Sequence, residues 1–291
     1  MKVALIVNPK AGRLRGAATG RQAARLMADD GWRVELIETR APGEAGELAR
    51  ETAASGYDLV VGVGGDGTLS ELLNGLVGTG VPCGIIPCGT GNDFASFVGL
   101  SGDLGTAVRQ LLAGSPKRVD MGRFVGTSRY FINSVGVGFD ARIAERINRR
   151  TRLTSGLVAY LPAVLAELVR CAPLAAVVEV DGQRYEDDWL LVVVANGYSY
   201  GAGFKIAPLA RCDDGLLDVV LVGMRGRLAV LRALPRVRRG AHTSDPNVTM
   251  LRAQQVAIQT DQPSPALVDG DVRAQTPLEI EVAPGTALLW L

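Results

Sequence analysis

The chain predicts an α/β N-terminal domain with a mostly parallel sheet, followed by a second domain dominated by an antiparallel β-sheet. Up to about residue 122, apolar runs of strand length alternate with helix-length amphipathic stretches, the pattern of a sheet covered on both faces. Beyond that point strand-like segments follow one another through short turns. The 36 glycines exceed the usual share of about 7% and gather at strand ends rather than in a repeat, which indicates many turns and excludes a collagen-like chain.

The first strand, 2–7, ends in the Pro- and Gly-containing turn Asn8-Pro9-Lys10-Ala11-Gly12, and a helical pattern covers 16–30. Strand 33–38 closes on Thr39, and a helix follows over 43–55. Strand 57–63 leads into Gly64-Gly65-Asp66-Gly67-Thr68, after which Leu69, Leu72, Leu73 and Leu76 recur at helical spacing over 67–78. Strand 83–87 leads into Gly89-Thr90-Gly91-Asn92-Asp93. In the second half, strands are expected at 176–180, 189–195, 216–222, 256–259, 266–269 and 278–282. Asp181-Gly182 and Asp269-Gly270 are hairpin-type dipeptides. The domains so drawn are 1–122 and 123–283.

A hydrophobic content of 47% and a net charge of +1 describe a folded chain whose charge predicts no partner. Cys83, Cys88, Cys171 and Cys212 have no metal-ligand spacing, and His242 is the one histidine, so zinc and a Ser-His-Asp triad are not expected. Reduced thiols fit a cytoplasmic setting. The N-terminal apolar run is too short for a signal peptide core. No run reaches the roughly 18 apolar residues of a membrane span. The nearest, 156–169, carries Pro162 and Glu167 and reads as an amphipathic or buried helix.

Glycine turns that join a strand to a helix N-terminus suit phosphate, because backbone N–H groups approach it without a Cβ in the way. Thr68 and Thr90 could add hydroxyl donors. Asp66 and Asp93 would repel that phosphate unless a divalent cation or a substrate hydroxyl intervenes; alternatively they cap their helices. The P-loop ending Lys-Ser/Thr is replaced by Thr68-Leu69-Ser70. Gly62, Gly64 and Gly67 satisfy the Rossmann spacing, but Ile85 and Ile86 stand where an acidic ribose partner belongs, which favours ATP over NAD.

These segments, with Glu71 and Asn74 after the first glycine loop, resemble the diacylglycerol kinase catalytic domain family, which includes sphingosine and ceramide kinases and, distantly, NAD kinases. The likeness continues through Asn133-Ser134-Val135-Gly136-Val137-Gly138-Phe139-Asp140, Ala195-Asn196-Gly197, Ala207-Pro208, Asp213-Asp214-Gly215-Leu216-Leu217-Asp218 and Val268-Asp269-Gly270-Asp271. It implies an NAD kinase/diacylglycerol kinase-like fold whose last strand, 284–291, returns to the first domain. It implies ATP and Mg²⁺ as cofactors and transfer of a phosphoryl group to a lipid hydroxyl, diacylglycerol first, with sphingoid bases, ceramide, NAD or a non-catalytic regulator as alternatives.

By the same resemblance Asn8, Pro9, Lys10, Ala11, Gly12, Thr39, Gly64, Gly65, Asp66, Gly67, Thr68, Glu71, Thr90, Gly91 and Asn92 bind the nucleotide. Asp271 matches the third position of an Asp-Gly-Glu motif and would be the proton acceptor, one methylene shorter, with Asp66 and Asp93 positioning metal or phosphate. A structural magnesium would take the Asp214 carboxylate and the carbonyls of Arg211 and Leu216. The expected partner is a lipid met at a membrane surface, with peripheral association during turnover. Nucleic acid is not expected, since aromatics form 5% of the chain and do not interleave with its arginines. Homodimerisation stays open. Two arginine groups, Arg142, Arg146, Arg149, Arg150 and Arg152, and Arg225, Arg227, Arg232, Arg236, Arg238 and Arg239, suit anionic lipid or a solvated helix face.

Overall fold

A computed structural model describes residues 1–150, 167, 172–201, 203–224 and 226–291. The apolar stretch 156–169 apart from Glu167, with Cys171, Arg152 and Arg225, lies outside the described residues, as do the side chains of Arg149, Arg150 and Arg227. The chain divides into two compact units, Met1–Met121 with Pro284–Leu291, and Gly122–Ala283.

In the first unit β1 (Lys2–Val7), β2 (Arg33–Glu38), β3 (Leu59–Gly64) and β4 (Cys83–Pro87) form a parallel sheet in the order β2-β1-β3-β4. β3 and β4 are buried at every position and β1 from Val3 to Val7, which is why they read as unbroken apolar runs. β2 alternates because it is the edge. Residues 57 and 58 precede β3; the Tyr57 ring carries Lys2 Nζ 3.8 Å above it, and its hydroxyl bonds Glu35.

The helices are a distorted one-turn α1 (Ala11–Leu14), α2 (Gly16–Asp29), α3 (Glu44–Ala54), α4 (Asp66–Leu76), α5 (Asp93–Phe97) and α6 (Leu104–Ala113). The chain passes from β1 to β2 on one side and then to β3 on the other. The turns after β1 and β3 therefore flank the switch point of the sheet, where ligands of such folds bind.

Helices α3 and α4 cross backbone to backbone, since a Cβ on Gly75 would stand 2.2 Å from the Gly46 carbonyl oxygen. Gly75→Ala must push the helices apart, at about 1–3 kcal/mol. A urea titration is expected to show a lowered midpoint; an unchanged one would refute this account of the crossing.

β15 (Leu278–Trp290) crosses the boundary between the units, and its end lies parallel to β4, with Leu289 opposite Cys83. The end is held by paired Ser115 and Leu291 backbones and by Trp290 Nε1 donating to the Leu111 carbonyl at 2.7 Å. Cys83 is fully buried, and burial pushes its thiol up to about 12.

The second unit holds the end of β5 (Pro116–Phe124), β6 (Tyr130–Phe131), β7 (Ser134–Gly138), β8 (Leu174–Val180), β9 (Gln183–Ala195), β10 (Leu217–Gly223), β11 (Val248–Ala253), β12 (Gln255–Thr260), β13 (Pro265–Val268), β14 (Asp271–Gln275) and the start of β15. Its pairings are antiparallel. β9 starts six residues earlier than its apolar run suggests: its polar first half pairs with β8, and its second half lies between β7 and β10. There Val192 and Val194 enter one core, while Leu191, Val193 and Ala195 enter another on the opposite face. The second core is covered by residues 206–210 and by α8 (Arg227–Arg238); helix α7 (Phe139–Arg150) leaves β7. Both Asp-Gly dipeptides form two-residue hairpins, with φ of 46° and 82° at Asp181-Gly182 and 47° and 91° at Asp269-Gly270.

Candidate active site

Three turns meet at the C-terminal ends of β1, β3 and β4. Gly12, at φ +57°, lies where a Cβ would be 2.3 Å from the Cys88 carbonyl oxygen. Asn8 Nδ2 donates to the Thr68 hydroxyl at 3.4 Å. Gly65 and Gly89 touch with no side chain between them, since a Cβ on Gly89 would stand 2.6 Å from the Gly65 Cα. Asn92, left-handed at φ 56°, folds its amide back so that it accepts from Gly89 N at 2.9 Å and donates to Gly89 O at 3.1 Å. The Gly89–Asn92 turn is thus closed from within, and Thr90 and Gly91 are presented outward, exposed.

Asp66 joins these turns. Its carboxylate accepts from Asp93 N and Phe94 N, each at 3.0 Å, and so caps α5 from the first turn of α4. Asp93 is buried beside it, and a Cβ on Gly91 would be 3.3 Å from a carboxylate oxygen of each aspartate. Two hard oxygen donors therefore face a space kept clear by glycine. This donor chemistry fits a divalent cation carrying waters and phosphate oxygens.

The remaining nucleotide-site residues play supporting parts. Glu71 accepts from Gly43 N, the N-cap of α3, at 3.0 Å, and Lys10 N donates to Asn8 Oδ1 at 3.0 Å. Thr39 is buried and its N–H continues the β1–β2 ladder to the Val7 carbonyl at 2.9 Å. Thr68 is buried against Gly64 with its hydroxyl toward Asn8, while Pro9 and Ala11 are half-buried in the first turn and Gly67 lies in the first turn of α4.

In the second unit Asp271 opens β14 immediately after the Asp269-Gly270 turn, half-exposed, with Arg273 donating to it at 2.6 Å. The turn is anchored by a residue that the spacing of the motif alone does not single out. Asp269 accepts from Ile132 N at 3.1 Å, Asn133 N at 2.9 Å and Ser134 N at 3.3 Å, which fixes the hairpin on the 132–134 segment.

The same unit contains an apolar recess with about 810 Å³ of empty space counting its solvent-filled mouth, about 100 Å³ of which admits the centre of a water. Leu191, Ile206, Val230 and Leu234 line it, with Asp140, Tyr200, His242 and Asp245 as polar groups. Burial raises Asp140 to about 7, against the opposing pull of the Ala141 N–H and the Tyr200 hydroxyl. Burial also lowers His242, whose Nε2 lies 2.9 Å from the Ile206 carbonyl and so carries the hydrogen of a neutral ring.

Below about pH 4 both folded and unfolded chains keep the Asp140 proton; between about 4 and 7 only the folded chain does. Stability is therefore lost as pH rises through that window and levels off above it. Asp218, raised to about 6 mainly by burial, slopes the same way. Asp140→Asn is expected to flatten the decline of melting temperature between pH 4 and 7. Parallel curves for the two proteins would refute the assignment.

The Asp214 carboxylate is ion-paired with Arg252 and accepts from Leu216 N at 3.2 Å, while the Arg211 side chain pairs with Asp213 at 3.1 Å. As placed, a guanidinium neutralises the one carboxylate that a structural cation would need, so these residues do not fit that metal. Among the described residues no group of three or more His, Cys, Asp and Glu is placed to hold an ion.

Residues 2–124 match the family described as diacylglycerol kinase catalytic domain, and 133–290 match the YegS C-terminal NAD kinase beta sandwich-like domain. A diacylglycerol kinase of Mycobacterium tuberculosis is 33% identical over 288 residues, covering 97% of this chain and 93% of that protein. One from Bacillus subtilis is 27% identical, covering 94% and 91%. The crystal structure of a diacylglycerol kinase from Bacillus anthracis superposes with a TM-score of 0.76 at 26% identity, covering 99% of this chain and 96% of that one.

Proposed function

The chain belongs to the diacylglycerol kinase family of lipid kinases, and from that premise we propose that it moves the γ-phosphate of ATP, with Mg²⁺, to the free hydroxyl of diacylglycerol, giving phosphatidic acid. The observation that carries the nucleotide half is the Asp66–Asp93 pair facing the clear space at Gly91. The outward turn of Thr90 and Gly91 offers backbone N–H groups to phosphate. A divalent cation there would offset phosphate charge, and Asp66 and Asp93 are the residues that would hold it.

Asp271 takes the proton of the acceptor hydroxyl as its oxygen attacks phosphorus. Asp269 fixes the turn that carries Asp271, and Arg273 orients its carboxylate. The apolar recess supports an acyl-bearing substrate: a soluble dinucleotide would gain nothing from walls of Leu191, Val230 and Leu234. Asp140, whose buried carboxyl holds its proton up to near neutral pH, offers a cationic sphingoid base less attraction than an ionised carboxylate would, so the uncharged diacylglycerol and ceramide-type acceptors both belong in the assay. ATP consumption is measured with Mg²⁺ across mixed micelles of diacylglycerol, sphingosine, ceramide and phosphatidylglycerol, with NAD as a soluble control. Turnover is expected with diacylglycerol; turnover with NAD alone, or with none of the five, would overturn the reading.

A further inference from the structure

The outer face of α8 carries a charge pattern that the phosphoryl-transfer site does not use. Residues 226–240 contain no acidic residue. Arg232, Arg236 and Arg239 are exposed and follow one another at four and three residues, on one side of the helix; Arg238 is exposed too, but two residues past Arg236 it is turned away from that row. Like charges at this spacing repel by a few tenths of a kcal/mol per pair. A helix serving only as a solvated cover would intersperse acids to relieve that repulsion. The opposite face supplies Val230, Leu234 and Val237 to the wall of the apolar recess.

A second observation lies at the end of the helix. Gly240 packs on Pro208, where a Cβ would be 2.9 Å from the Pro208 Cβ and 3.7 Å from the Lys205 Cβ. Leu209, the next residue, is 78% exposed, and Lys205 is exposed. A bare leucine thus stands beside a row of cations, on the element that roofs the recess.

Resting on the lipid-kinase reading above, we infer that α8 and the 205–209 segment form a docking surface for an anionic phospholipid bilayer, with the arginines meeting headgroup phosphates and Leu209 entering the acyl boundary. Anionic lipid relieves the repulsion along the row, and a leucine at its edge gains from leaving water. Docking there sets the outer side of the recess wall against the bilayer that holds the substrate.

The test separates docking from catalysis. Co-sedimentation without ATP uses vesicles of phosphatidylcholine alone and of phosphatidylcholine with 30% phosphatidylglycerol. The full chain is expected to partition onto the anionic vesicles, and salt is expected to release it. Arg232→Gln, Arg236→Gln and Arg239→Gln together should weaken that partition on the order of 10²-fold. The corresponding triple lysine variant should retain it, because point charges suffice. Turnover of a short-chain, monomeric diacylglycerol should be the same in all three proteins, which also reports that they fold.

Equal partition of the glutamine variant would overturn the inference, as would equal binding to neutral vesicles, or binding of this surface to DNA without preference for anionic lipid. Charge-dependent docking in a protein that phosphorylates no lipid would leave the surface standing and sink the kinase reading instead. Lipid turnover without any anionic preference would do the reverse.

Discussion

Replacement of Asp66 by asparagine is expected to lower phosphoryl transfer by at least about 10²-fold, in the range seen when a preorganised charge is removed from such a site. Both carboxylate oxygens are in use, one toward Asp93 N and one toward Phe94 N. An amide keeps one acceptor and turns an N–H₂ group toward the other N–H, so α5 loses half of its cap at about 1 kcal/mol. It also removes one of the two negative charges that face the space at Gly91. The losses are separable: a stability deficit appears in thermal unfolding without nucleotide, whereas the missing charge appears as a fall in kcat and a weaker response to magnesium concentration. An asparagine variant with near wild-type turnover and only a lowered melting temperature would reduce Asp66 to a helix cap.

Asp271→Asn is expected to cost 10²–10⁴-fold in kcat while ATP affinity holds, because the amide cannot accept the hydroxyl proton. The structure isolates this test well. The hairpin is built by Asp269 and by the left-handed Asp269-Gly270 turn, so Asp271 can change without dismantling its support. Asp271→Glu should keep much of the activity, since β14 begins at this residue and its side chain is half-exposed, with room for a further methylene. Full activity in the asparagine variant would leave Asp271 as a turn residue paired with Arg273.

What could be read from the sequence follows from the range of the forces involved. Strands β1, β3 and β4 were legible because burial on both faces leaves continuous apolar runs, and the two hairpins because Asp-Gly fits two successive left-handed residues. The glycine turns also announced themselves, since the backbone approach at Gly89, where a Cβ would stand 2.6 Å from the Gly65 Cα, leaves no room for a side chain. β14, with the sequence Asp-Val-Arg-Ala-Gln, and the polar first half of β9 were not legible, because a half-exposed strand borrows its regularity from its neighbour.

Site residues divided in the same way. That Asp66 and Asp93 belong together was legible from successive strand ends; that Asp66 caps the helix Asp93 begins was not, because the bond spans 27 residues. The Arg252 pairing of Asp214 depends on β10 lying beside β11, which places Asp218 opposite Arg252, a register that local pattern does not encode. Asp140 stood in a recognisable motif, but its protonation follows from the walls around it.

The placement of Leu289 beside Cys83 has a consequence for how the chain is made. The nucleotide unit takes in residues 1–121, yet its last sheet neighbour, within 284–291, follows the whole of the second unit in the chain. Until then one edge of β4 is an open ladder of apolar backbone, the kind of surface that recruits other chains. Synthesis therefore cannot finish this unit first and move on; its completion waits for the whole of the second unit to leave the ribosome. A chain cut before residue 284 would keep the whole of the second unit and would leave the first without its closing strand.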